Sequence, residues 1–198
     1  MSEPVLVIAC GALAREIQQL KLLNGWEHMG IQCIDAKLHF QPRLIGSRLR
    51  SKIEAARKNY KKIFVAYAEC GTAGEIDKIL EDEKDIERLS GAHCYQFFAG
   101  GEFFNKLSEE EPGTFYLTDF LVRYFERLVV KTLKIDQHPE LRDAFFGNYQ
   151  RVVYISQTTD PELLKKGKDA AGFLQLRFEH IHRGYGELET GLRLQMSA

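Results

Sequence analysis

The chain has 198 residues, 44% of them hydrophobic and 28% charged, with 27 Lys and Arg against 28 Asp and Glu for a formal net charge of -1. This length predicts one domain, residues 1–198, with a substantial core, and fractions this near the globular averages exclude a disordered, collagen-like or low-complexity chain. A charge balance so even removes the electrostatic basis for nucleic acid or an anionic membrane as main partner.

Pro4 to Ala9 predicts a first strand, so uniformly apolar that it should be buried on both faces. Cys10-Gly11 turns the chain into a helix from about Ala12 to Leu23, closed by Asn24-Gly25. Met29 to Asp35 predicts a second strand, and after Pro42 a helix runs from about Gly46 to Lys58. Lys62 to Tyr67 is the third strand, and Cys70-Gly71-Thr72-Ala73-Gly74 opens a helix reaching about Asp82. A short fourth strand is expected at His93-Cys94-Tyr95, before a helix entered through Phe98-Ala99-Gly100-Gly101.

Thr118 and Asp119 read as N-cap and first turn of a long amphipathic helix whose apolar positions are Phe120, Leu121, Tyr124, Phe125, Leu128 and Val129. Pro139 and Gly147 bracket another short helix in the Pro-first, Gly-last order. A fifth strand at Arg151 to Ser156, a helix from Pro161 to Ala171 and a last strand from Leu174 to His180 complete the pattern. Strand-length apolar runs alternating with helical segments predict an α/β fold: a single doubly wound, Rossmann- or flavodoxin-like, mostly parallel sheet with helices on both faces.

No stretch is long enough to span a membrane: Val5 to Ala14 is about half of the ~20 residues required. The start, Met1-Ser2-Glu3-Pro4, lacks the basic region of a signal peptide, so a cytoplasmic location is expected. Four scattered cysteines in such a chain are expected to be thiols or metal ligands rather than a disulfide scaffold.

Ligands of a doubly wound sheet sit beyond the carboxyl ends of its strands. Cys10, Cys70 and Cys94 all fall near that edge, whereas Cys33 lies inside the second strand and is assigned to the core. Three thiolates there would bind one soft metal such as zinc with a coordination position left open, or an iron–sulfur cluster with one iron lacking a cysteine. The competing reading treats the cysteines as small core hydrophobes, since no C-x-x-C pair is present.

Gly11, Gly71, Thr72 and Gly74 are candidate cofactor- or anion-binding positions, because small residues at a helix start leave backbone amides open to a phosphate or carboxylate. Plain turn geometry explains the same glycines. Glu16, His39 and Arg43 are candidates to assist chemistry, as ligand, base or anion partner, each against the alternative of an ordinary solvated side chain. His93 should point away from Cys94 if both lie on a strand. Phe97, Phe98, Phe103, Phe104, Phe115 and Tyr116 are read first as core.

The segments Ile8-Ala9-Cys10-Gly11-Ala12-Leu13, Glu69-Cys70-Gly71-Thr72, His93-Cys94-Tyr95, Gly113 to Phe120 and Phe146-Gly147-Asn148-Tyr149, taken together, resemble a bacterial and archaeal family, domain of unknown function number 1638. The resemblance runs from about Val5 to Leu188, and its pattern includes the cysteines at Cys10, Cys70 and Cys94 but not Cys33. It implies work beside corrinoid-dependent methyltransferases and their folate partners. That context fits a metalloenzyme of one-carbon or sulfur metabolism, with zinc or an iron–sulfur cluster as cofactor and a small anionic or thiol substrate activated for methyl transfer. The chain lacks a D-x-H-x-x-G corrinoid signature, so it is not expected to carry the corrinoid. The alternatives are a non-catalytic accessory protein and a nucleotide- or folate-binding protein, with structural cysteines in either case.

Overall fold

A computed structural model describes residues 3–83 and 85–197. Met1 and Ser2, part of the N-terminal stretch read above, lie outside the described residues. In chain order the elements are β1 (Val5–Cys10), α1 (Ala14–Asn24), β2 (Met29–Ile34), α2 (Ile45–Ala56), β3 (Lys62–Ala66), α3 (Glu75–Glu81), β4 (Glu87–Arg88), α4 (Cys94–Ala99) and α5 (Gly101–Glu110). There follow β5 (Thr114–Leu117), α6 (Asp119–Arg123), α7 (Glu140–Phe146), β6 (Arg151–Ser156), α8 (Pro161–Leu174), β7 (Arg177–His182) and α9 (Gly186–Ser197).

The α/β class with parallel sheets is as the alternating pattern predicts, but the strands form two sheets rather than one. The first has the order β2-β1-β3-β4 and the second β5-β6-β7, and every pairing within them is parallel. The chain divides accordingly into two compact units, residues 1–97 with 185–198, and residues 98–184. No helix among the described residues is long and apolar enough to cross a membrane.

In the first unit β1 is the central strand, and all six of its residues are buried. A strand buried in every residue has both faces covered, which is why its sequence does not alternate. Cys10 is opposite Ile34, and Ala9 is opposite Ala66, so β1, β2 and β3 finish level at one carboxyl edge. Gly11 follows at once, where a Cβ would meet the Ala36 amide and the Ile34 carbonyl, each at 3.1 Å. The turn out of β1 is therefore packed directly on the turn out of β2.

The fourth strand is not at His93-Cys94-Tyr95. It is the two-residue β4, which pairs with β3 through Phe64 and Val65, and Cys94 instead opens α4. The side chain of Gln96 reaches back and accepts from the Ala92 amide at 2.9 Å, satisfying a donor at the helix entrance as a capping side chain does. Three apolar-looking residues were too short a window to separate strand from helix. Gly100, at φ 85, then divides α4 from α5.

The second unit is held at both ends of its sheet by buried charge. Arg151, 6% exposed at the start of β6, donates to Thr114 Oγ1 at 2.9 Å, to the Leu107 carbonyl at 3.0 Å and to Glu179 at 2.8 Å. At the opposite end Asp119 is fully buried. Its carboxylate accepts from Tyr154 Oη at 2.6 Å, the Gln157 amide at 3.0 Å, the Thr158 amide at 3.1 Å and Thr158 Oγ1 at 2.6 Å. Thr118 caps α6 as expected, accepting from the Leu121 amide.

The long helix expected after Thr118 breaks at Tyr124 and continues as a π-helical segment, Glu126–Lys131. That wider turn brings Leu128, Val129 and Val130, three consecutive residues, into the core, which 3.6-residue periodicity does not do. β5, read from sequence only as part of an aromatic run, pairs with the full length of Thr114 to Leu117 against β6. The last strand lies three residues later than expected at its start, and α9 follows the Gly184-Tyr185-Gly186 turn. Phe97 and Phe98 are buried, and Phe104 packs on Tyr116 with ring centroids 4.9 Å apart, in line with the core reading of the aromatics.

Replacing Asp119 by Asn turns one acceptor into a donor facing N–H and O–H groups. Asp119→Asn is expected to destabilise the second unit by about 2–4 kcal/mol, measured as a lower midpoint in denaturant.

Candidate functional site

The carboxyl edge of the first sheet collects Cys10 from the end of β1, His39 from the 3-10 turn after β2 (Ala36–Phe40), Tyr67 and Cys70 from the segment after β3, and Cys94 at the start of α4. β1 and β3 are neighbours in the sheet, which sets Cys10 beside the segment that carries Cys70, whereas Cys94 comes from α4 and not from β4. Pairing continues beyond the strands: the Glu69 amide donates to the Gly91 carbonyl and the Cys70 amide to the Ala92 carbonyl, both at 2.9 Å. These two bonds carry Cys70 alongside the entrance of α4, and the sulfurs of Cys70 and Cys94 stand 3.8 Å apart.

All four cysteines are free thiols. Cys94 is the middle of the cluster, within hydrogen-bonding reach of both Cys10 and Cys70. Those two interactions, followed by burial, push its pKa well above the ordinary value, so it keeps its proton and serves as donor. Cys70 is the opposite case. Hydrogen bonding from Cys94 lowers it most, His39 adds a hydrogen bond and a favourable charge, His93 adds charge, and burial opposes them; the result is about 5. Cys10 is lowered by Cys94, by the Ala12 amide and by Tyr67. His39 is raised in turn by its bond to Cys70, and Tyr67 is raised by burial first and then by the three cysteines. The arrangement is a buried thiol between two sulfurs of lowered pKa, with an imidazole beside one of them, Cys70.

Cys70 takes a left-handed backbone, φ 50, as does Ala73, φ 54. Such angles are uncommon for residues with a Cβ and persist where surroundings over-determine them. Here the surroundings include Glu69. Its carboxylate accepts from the Gly71 amide at 2.7 Å, the Gly74 amide at 3.1 Å and Thr72 Oγ1 at 2.9 Å. The amides of Gly71 and Gly74, expected to cradle an external anion, are thus occupied by the chain's own carboxylate. These bonds hold the Glu69 pKa below the ordinary carboxylate value against the burial that raises it. Gly71 and Gly74, at φ 79 and 80, are placed where a Cβ is disfavoured.

Beside Cys70 opens a cleft of about 420 Å³ lined by Phe40, Gln41, Pro42, Arg43, Gly71, Thr72, Ala73 and Glu75. Arg43 therefore does lie near the thiol loop, and Thr72 lines the same wall. Glu16 is in the first turn of α1 and is 3% exposed, which departs from the solvated helix position set against it in the sequence reading. Cys33 sits on β2 and is half-buried. His93 precedes α4 instead of occupying a strand, and its ring stacks on Tyr95 at a centroid distance of 5.1 Å. Among the described residues no group of three or more His, Cys, Asp and Glu is arranged to hold a metal ion.

Tyr67 and Glu69 escaped the sequence reading. Glu69 stands directly before the Cys-Gly turn, and an acidic residue preceding a turn rich in free amides was the available signal. Tyr67 had none, since its strand position reads as core.

Two outcomes follow. In the metal-free protein, alkylation of Cys70 is expected to be nearly independent of pH between 7 and 9, where an ordinary thiol accelerates about tenfold per unit; His39→Gln should restore part of that slope. Glu69, whose folded pKa is depressed, contributes stability that is present above its ordinary 4.5 and lost as pH falls through the lower folded value. Glu69→Gln should flatten that acid limb in denaturant titrations made at successive pH values.

No curated protein and no solved structure matches the chain significantly. A family model described as "Protein of unknown function (DUF1638)" matches residues 33–192, a span that contains Cys70, Cys94, His39 and the glycine loop and begins after Cys10. With most of its length matched, the chain belongs to the DUF1638 family.

Proposed function

We propose that Cys10, Cys70 and Cys94 bind one soft cation, with zinc favoured over an iron–sulfur cluster, and that the site activates a small thiol substrate in cytoplasmic one-carbon or sulfur metabolism. The observation that carries this reading is the 3.8 Å separation of the Cys70 and Cys94 sulfurs. Two thiolates on a tetrahedral ion with bonds of about 2.3 Å stand about 3.8 Å apart. Thiolates of a cubane cluster bind different irons and stand farther apart, so the spacing supports a single ion. Cys94 must release its proton on binding, and the three sulfurs must draw around the ion from their metal-free arrangement.

Zinc held by three thiolates would supply Lewis acidity at an open fourth position. The other roles belong to the chain. Arg43 offers a cation to an anionic group in the cleft, and the apolar walls at Phe40 and Pro42 bury the remainder of a small substrate. His39, whose pKa is raised by the neighbouring Cys70 sulfur, supplies positive charge beside the thiols and would offset the charge of an incoming thiolate. A corrinoid-dependent methyltransferase is the proposed partner, following from the family resemblance and not from the site.

One observation favours the competing accessory-protein reading: Cys10 and Cys70 are 5% and 4% exposed, as packed core thiols are. The nucleotide- or folate-binding reading is weaker, because Glu69 already fills the amide cradle that a phosphate would use.

Anaerobic purification followed by elemental analysis tests the proposal. Close to one zinc per chain is expected, reduced to a trace in Cys70→Ser and in Cys94→Ser, with no acid-labile sulfide. A well-folded protein that takes up no zinc when it is supplied, with both variants indistinguishable from wild type, overturns it.

A further inference from the structure

The second unit carries an imidazole cluster that the thiol site does not use. In its sheet, Ser156 is paired in register with His182, and Tyr154 with His180. Laterally paired residues of neighbouring strands share a face, and so do residues two apart on one strand. His180, His182 and Ser156 are therefore on one face at the carboxyl end of β6 and β7. The side chains meet there: His180 Nε2 is 2.9 Å from Ser156 Oγ, and His182 Nδ1 is 3.0 Å from the same oxygen. Both histidines are exposed, while Ser156 is 1% exposed.

We propose that His180 Nε2 and His182 Nδ1 are the protein ligands of a divalent cation of the zinc or nickel class, bound at the carboxyl edge of the second sheet above Ser156. Three features support it. A His-x-His pair on a strand presents two imidazoles on one side, as a chelate requires, and imidazole suits zinc, copper and nickel. The two ring nitrogens are drawn to one atom, the Ser156 oxygen, so that a cation would sit beside that oxygen. The hydroxyl there has a single proton, so it donates to one ring only and needs the other ring to donate to it. A cation gives both nitrogens the same role, each with its lone pair inward and its other nitrogen protonated, without charging either ring.

The surroundings fit a supporting shell. The His180 ring packs on Tyr154 with centroids 5.3 Å apart, and the Tyr154 hydroxyl is held by Asp119 at 2.6 Å. An aromatic face fixed in this way limits the ring's rotation, so less freedom is lost on binding. Ser156 is too buried to meet a bulky electrophile, which argues against a serine nucleophile with histidine as base. With two protein ligands the remaining positions belong to water, so this site is weaker than the thiol cluster and open to exchange.

Nickel titration of the full chain, after removal of bound metal by a chelator, tests the proposal by calorimetry and absorption together. Nickel on the thiol cluster shows intense thiolate-to-metal charge transfer; nickel on imidazole does not. The expected result is an equivalent of nickel without that absorption, retained in Cys70→Ser and weakened at least about tenfold in His180→Gln and in His182→Gln. The double variant His180→Gln/His182→Gln binding nickel as wild type does would overturn the site, as would charge transfer on every equivalent bound. Imidazole nitrogen NMR of the unaltered protein is a second reading that needs no variant. Zinc should shift Nε2 of His180 and Nδ1 of His182, and unshifted nitrogens at saturating zinc sink the assignment.

Discussion

The carboxylate of Glu69 folds the loop after β3 around itself, taking two backbone amides and the Thr72 hydroxyl. That loop contains Cys70 and Ala73 in left-handed conformations, which residues with a Cβ adopt at a cost of order 1–2 kcal/mol each. Each bond to the carboxylate is charge-assisted and worth more than a neutral one, so the carboxylate offsets what the backbone gives up. Position, burial and acidity of the Cys70 thiol all depend on this turn. Without it, the bonds from Glu69 and Cys70 to the 91–92 segment would lose their register, and Cys94 would no longer meet Cys70.

Acidity within the thiol cluster is divided rather than shared equally. One proton kept on Cys94 stabilises negative charge on its neighbours, and His39 compensates that charge from the β2 side. A group that is costly to ionise in the interior thereby makes two adjacent groups easier to ionise. This division leaves Cys70 the most acidic sulfur of the cluster, beside a cleft that carries Arg43.

The two units use the parallel sheet in different ways at the same topological position. In the first, soft and polarisable groups collect at the carboxyl edge. In the second, that edge is tied by Asp119 to the turns after β5 and β6, and it carries the exposed residues His180 and His182. Buried charge at both ends of the second sheet, Arg151 and Asp119, is fully hydrogen-bonded, which is the condition under which such groups specify a fold instead of weakening it.

Much of this was legible from local pattern. Val5 to Ala9 could only be a strand buried on both faces, Thr118 could only cap what followed it, and the positions of Cys10 and Cys70 next to glycine placed them at strand ends. These follow from side-chain period and cap chemistry, which act over a few residues. What local pattern does not contain is partnership. That Cys94 begins a helix, that the strands divide between two sheets, that Glu69 rather than an external anion fills the amide cradle, and that Ser156 stands between His180 and His182 are consequences of residues distant in sequence meeting in space. The sequence by itself determined the α/β class, the central strand and the three thiols at one edge, because these rest on hydrophobic period and turn residues. Tertiary structure decided which thiol holds the proton and which imidazoles converge, because a pKa and a ligand set are set by neighbours within a few ångströms, and those neighbours are chosen by strand order and register.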